Sequence, residues 1–111
     1  MHWIHLTDEE QLEQVLTRSQ IRPQVIFKHS TRCSVSAVSL QRLQKVSQPA
    51  DMDFYFLHLL TYRNVSKKVT QVLGVHHESP QVLLVKNGDC VYEESHMGIS
   101  MNEIVEHAYA A

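Results

Sequence analysis

Residues 80–95, PQVLLVKNGDCVYEES, limit the fold of this chain more than any other stretch. Two β-rich runs flank Asn87-Gly88, a dipeptide that accepts the left-handed backbone a two-residue hairpin turn needs. An antiparallel hairpin is therefore predicted here. Pro80 opens its first strand, a position where no ladder donor is required. Whatever sheet the chain builds must accept that hairpin.

Upstream, short apolar runs alternate with helical patterns. Gln24–Lys28, QVIFK, is too brief for a helix and reads as a buried strand. MDFYFLHLL, residues 52–60, reads as another, and Trp3 to Leu6 as a short first strand. Between them, Thr7 and Glu10 form a capping box that predicts a helix over Asp8 to Ser19, with Leu12, Val15 and Leu16 on one face. Residues 34–47 read as a second helix, whose apolar side is expected to carry Val35, Val38, Leu43 and Val46. A third helix starting at Asn64 has a stripe of Val65, Val69, Val72 and Leu73, and Gly74 sits where a left-handed cap belongs. Ser100 and Glu103 predict a closing helix toward Tyr109, with Ile99 and Ile104 as a hydrophobic staple. The resulting order, β-α-β-α-β-α-β-β-α, matches the thioredoxin-like arrangement, an α/β fold with a central mixed sheet flanked by helices, although alternation alone fits many α/β folds and the chemistry must narrow it. The length of 111 residues predicts one domain over 1–111.

Composition narrows the function by exclusion. The net charge is −2 and there is no basic run, which argues against a nucleic-acid partner. No stretch approaches the ~20 apolar residues of a membrane span. The opening MHWIHLTDEEQLEQV has no basic segment followed by an apolar one, so a cytoplasmic protein is expected. In a reducing compartment Cys33 and Cys90 are expected as free thiols.

Cys33 follows strand QVIFK by a short loop and opens the second helix. The first amides of a helix lack intrahelical partners, and the helix dipole adds partial positive charge there, so a thiolate at this place is favoured. Lys28, Arg32 and His29 are nearby cations or potential cations. In a C-x-x-C site the second thiol resolves the mixed disulfide formed by the first. Here Ser36 stands in that place. It cannot resolve, but its hydroxyl can donate to the sulfur of Cys33. The predicted chemistry is monothiol, with Cys33 and Ser36 as the catalytic pair. Thr31, Arg32 and Ser34 around the thiol, with Ser79 and Pro80, are the expected substrate contacts. In thioredoxin-like proteins a cis-proline at the place of Pro80 lies beside the active cysteine, and the residue before it offers backbone groups to an extended substrate.

With HSTRCSVSA and VHHESPQVLLVKNGDCVYEESHMGIS both in view, the chain resembles the YtxJ family of thioredoxin-like proteins over essentially its whole length. In that family a Thr precedes the cysteine and a Pro follows it; Arg32 and Ser34 stand in those places here. The resemblance implies a thioredoxin fold, a bacterial cytoplasm and Cys33 as the redox residue of a bacilliredoxin-like protein. It further implies bacillithiol as co-substrate, removed from proteins that carry it in mixed disulfides, with no tightly bound cofactor. A monomer is expected.

Cys90 lies just past the hairpin turn, about 20 Å from the end of the strand that Pro80 opens, too far for a bridge to Cys33. Eight histidines invite other readings. His29 and His77 are candidates for tuning the Cys33 pKa, or they are solvated or core residues, as are His76 and His96. A metal site is disfavoured because no H-x-x-x-H or C-x-x-C spacing occurs. Two alternatives stand beside the oxidoreductase reading. One is a carrier of an iron-sulfur cluster or metal, although the C-G-F-S signature of cluster-binding monothiol glutaredoxins is absent. The other is a noncatalytic thioredoxin-like module that binds extended peptides beside Pro80.

Overall fold

The computed structural model describes residues 1–110. Five strands and four helices follow the predicted order: β1 (Trp3–His5), α1 (Glu9–Arg18), β2 (Gln24–His29), α2 (Ser34–Gln44), β3 (Asp53–His58), α3 (Arg63–Leu73), β4 (Gln81–Lys86), β5 (Asp89–Ser95) and α4 (Met101–Ala108), with a short 3-10 turn at His96–Gly98 before α4. The sheet order is β1-β3-β2-β4-β5. β1, β3 and β2 run parallel, while β4 is antiparallel to β2 and β5 to β4. The sheet is thus mixed: α1 and α2 join strands that run parallel, whereas β4, reached through α3, enters antiparallel to β2, and the two-residue turn returns β5 antiparallel to β4.

Alternation along the strands divides the core in two. Val25, Phe27, Phe54, Phe56, Val82 and Leu84 face α2 and α4, where they meet Leu43, Ile99, Ile104 and Ala108. Ile26, Tyr55, Leu57, Leu83 and Val85 face α1 and α3, against Leu12, Val15, Val65 and Val69. All six residues of β2 are buried, as its place between β3 and β4 requires.

The hairpin forms at Asn87-Gly88 with φ of 54° and 80°, the two positive values a type I′ turn needs. It is tied to the end of α1: Asn87 N–H donates to the Ser19 carbonyl and Gly88 N–H to the Ser19 hydroxyl. Tyr92 pairs with Leu84 but Cys90 with Val85, so Val91 is an extra residue in β5. Gly74 adopts the left-handed cap conformation, with φ of 66°. Ser100 Oγ accepts from Glu103 N–H, and Ile99 and Ile104 are buried in the same core.

Three expectations need correction. The N-cap of α1 is Asp8, not Thr7: Asp8 accepts from Gln11 N–H, and the Gln11 side chain reaches back to Thr7 N–H. The carboxylate one residue later is the better acceptor for the orphan amides, and α1 ends at Arg18. Helix α3 starts at Arg63, one residue before Asn64. The largest difference is in α2. It stops at Gln44, and its buried face carries Ser36, Ser39 and Leu43, whereas Val38 and Val46 are exposed. Counting apolar residues misplaces this face because two serines do its work. Ser36 Oγ accepts from Ser30 N–H and Ser39 Oγ donates to the His96 carbonyl, pairing loop groups that burial would otherwise strand.

Phe27 is fully buried and its ring packs against Trp3 and Phe56. Phe27→Ala is expected to lower unfolding free energy by about 3–5 kcal/mol. Val91→Ala, at the half-exposed extra residue, should change it by no more than about 0.5 kcal/mol. Denaturant titration of both variants checks the contrast.

Candidate active site

The loop from β2 to α2 is a hydrogen-bonded turn. Cys33 N–H donates to the Ser30 carbonyl at 3.2 Å, and Arg32 N–H donates to Ser30 Oγ at 3.3 Å. Cys33 itself is the N-cap of α2, in extended conformation with φ −114° and ψ 118°. A side chain at that position sits over the unpaired amides of the first turn, where serine or aspartate is the usual occupant. The Cys33 thiol is held below its ordinary pKa, first by the backbone N–H of Ser36, then by that of Val35 and the Ser36 hydroxyl; partial desolvation opposes them. Ser36 is fully buried. Because its oxygen already accepts from Ser30 N–H, its own proton is free for the sulfur.

Charge plays a smaller part than the sequence suggests. Side chains alternate across β2, so Lys28 points away from α2. Its ammonium lies against α3, 3.4 Å from the Ser66 carbonyl, 3.3 Å from Thr70 Oγ1 and 3.1 Å from His77 Nδ1. Neither Lys28 nor His77 therefore has its charged or titrating group on the α2 side of the sheet, and His77, expected to tune the thiol, is engaged with Lys28 instead. His29 does face the α2 side. It is buried among Phe27, Phe56 and His58 with Nδ1 unpaired, and burial, then His58, pushes its pKa down. A ring kept neutral in this way adds no cationic field to the thiol.

The start of β4 completes this end of the sheet. Lys28 pairs with Gln81, so the strand opened by Pro80 begins beside the end of β2 from which the Cys33 loop departs. The Ser79–Pro80 peptide bond is cis. Ser79 Oγ is buried without a partner, and the Pro80 carbonyl accepts from His96 N–H at 3.0 Å. His96 has φ of 57° and its Nε2 lies 3.0 Å from Glu78 Oε1; this contact is the main reason the Glu78 carboxyl sits below its usual range. Ser39 of α2 reaches the His96 carbonyl, and Arg42 the Met97 carbonyl, so the turn after β5 is fastened to the helix that Cys33 opens. Thr31, Arg32 and Ser34 are exposed around the half-buried thiol. Cys90 pairs with Val85 at the opposite end of β4, where its Sγ meets the Tyr92 carbonyl and burial raises its pKa.

Two features of this end escape sequence reading. His58 joins His29 and His5 in a row of rings across β1, β3 and β2; the alternation Phe54, Phe56, His58 was the available signal. The burial of Lys28 could have been read from its parity with Ile26. Among the described residues no group of three or more His, Cys, Asp or Glu is arranged to hold a metal. No helix among them is long and apolar enough to cross a membrane.

A thioredoxin-type sheet with a cysteine at the head of α2 is the frame of a thiol oxidoreductase, and the solved structures agree. The chain is similar to a proposed oxidoreductase with a thioredoxin fold, at 30% identity and a TM-score of 0.81 over 94% of this chain and 91% of that one. It also shares the fold of the thioredoxins of Malassezia sympodialis (17% identity, TM-score 0.74, 97% of each chain) and Fasciola hepatica (14%, 0.73, 93% of this chain and 97% of that). The chain belongs to the monothiol bacilliredoxin family BrxC, which matches residues 4–104. The YtxJ-like resemblance read from the sequence is thereby shown.

Two measurements probe this end of the sheet. Ser36→Ala should raise the Cys33 pKa and slow its alkylation near neutral pH, seen as an upward shift of the alkylation pH profile with the helical spectrum retained. Lys28 is fully buried and its pKa is lowered from 10.5 to about 8 by desolvation. Between those values the unfolded chain holds a proton the folded chain lacks, so this group makes stability rise with pH through the window and costs most below it. The stability advantage of Lys28→Met over wild type should therefore shrink by on the order of 3 kcal/mol from pH 8 to 10.5. A difference that stays flat in paired denaturant titrations would contradict this.

Proposed function

We propose that the protein is a monothiol thiol-disulfide oxidoreductase that removes a low-molecular-weight thiol, bacillithiol, from protein mixed disulfides in a reducing cytoplasm. The Cys33 thiolate attacks the sulfur of the small thiol in the client disulfide. The new Cys33–bacillithiol disulfide forms as the client S–S bond breaks, and the client cysteine leaves as thiolate and takes up a proton. No electrons are lost overall in this exchange; the Cys33 adduct is later reduced by an external thiol. Thr31, Arg32 and Ser34 would flank the arriving disulfide, and the backbone at Ser79 would pair with the extended client.

The observation that carries this reading is the placement of Cys33 at the N-cap of α2, with its thiol pKa lowered by the Ser36 and Val35 amides, and with Ser36 rather than a second thiol at the resolving position. Family membership supports the monothiol chemistry. Without a resolving cysteine the adduct has no intramolecular exit, so it should accumulate.

Incubation of the protein with a bacillithiolated client, followed by intact-mass analysis, tests this. Wild type and Cys90→Ser should gain one bacillithiol each as the client loses it, and Cys33→Ser should gain none. Adduct transfer that persists in Cys33→Ser, or fails in wild type, would reject the proposal.

A further inference from the structure

One face of α3, away from Cys33, lines a cleft. Arg63, Ser66, Lys67, Thr70 and Gln71 recur at helical spacing and, with Leu59 and His77, line an open cleft of about 440 Å³. That volume is in the range of small-molecule sites. No Asp or Glu lines the cleft, although the chain as a whole is net negative. The nearest acid in sequence, Glu78, is turned to His96 and His76.

Beneath this lining lies Lys28, fully buried and with no carboxylate in salt-bridge distance among the described residues. Burying a cation without a counter-charge is costly. Its three partners are the Ser66 carbonyl, Thr70 Oγ1 and His77 Nδ1, all from residues of the cleft wall. The contact with His77 fixes a tautomer. An ammonium has only protons to give, so Nδ1 must be the acceptor and Nε2 must carry the ring hydrogen. His77 is thereby left with an N–H to donate from its far side, polarised by the cation behind it.

We propose that this cleft binds a small anion of the phosphate or carboxylate class, gripped by Arg63 and Lys67, accepting from His77, and balancing the buried charge of Lys28. Both anion types offer the paired oxygens that a guanidinium fork recognises. The site uses neither Cys33 nor Ser36, so it stands apart from the thiol chemistry.

Amide chemical-shift titration of the full chain at neutral pH tests this, with inorganic phosphate and succinate as probes against sodium chloride of matched ionic strength. At least one probe should give saturable shifts centred on Ser66, Thr70, Gln71 and His77. The surface double variant Arg63→Ala/Lys67→Ala should weaken that binding by about tenfold or more, and Cys33→Ser should bind as wild type. The tighter probe identifies the anion class. Three results would overturn the site: no saturation by either probe at concentrations on the order of 10 mM, shifts reproduced by chloride, or equal affinity in the double variant. None of them would touch adduct transfer by Cys33, and loss of adduct transfer would not touch anion binding.

Discussion

Strand β2 is the constraint on which the rest depends. It is paired on both edges, parallel to β3 and antiparallel to β4, and every one of its residues is buried. A strand held on four sides cannot slip by one residue without turning its apolar set into the wrong layer. Its end therefore delivers the Ser30–Cys33 turn, and the head of α2, to a fixed place. The same register brings Gln81, and with it the start of β4, alongside. The loop that carries the thiol and the segment that Pro80 opens thus leave the sheet at the same end, by strand pairing.

The thiol is favoured as thiolate mainly by neutral dipoles. The backbone amides of Ser36 and Val35 and the Ser36 hydroxyl are oriented by the helix, and they need no proton uptake to act. The nearby basic side chains of β2 are occupied elsewhere, Lys28 across the sheet and His29 neutral in an aromatic pocket. Stabilisation by fixed dipoles is preorganised and varies little with pH near neutrality, unlike stabilisation by an imidazolium. Replacing a second cysteine with a serine keeps one of these dipoles while removing the resolving thiol.

Much of this was legible in the chain. Asn87-Gly88 specified the hairpin, Gly74 the end of α3, and Ser100 with Ile99 and Ile104 the entry of α4, because each is a local requirement of backbone conformation or capping. The element order followed from periodicity, which fits many α/β folds; the thioredoxin-like class needed the placement of Cys33 and Pro80 as well. The thiol at a helix head was visible from the junction of QVIFK with the next helical segment. The polar face of α2 was not, because hydropathy counts a serine as outward even when its hydroxyl serves a buried loop amide. The N-cap of α1 was missed by one residue because Thr7 and Asp8 are both acceptable caps and only the final geometry chooses.

The sequence by itself determined the local elements, their order and the single cysteine with a serine three residues on, since turn, cap and period preferences act over a few neighbouring residues. Tertiary structure alone decided which face of β2 each side chain took, and so sent Lys28 to α3 and His29 to the aromatic layer. It also decided which histidines meet, that Ser39 and Arg42 hold the turn after β5, and that a cleft lined by Arg63 and Lys67 opens over α3. Those outcomes depend on sheet register and strand parity summed over residues far apart in the chain, where one step of register exchanges the two faces.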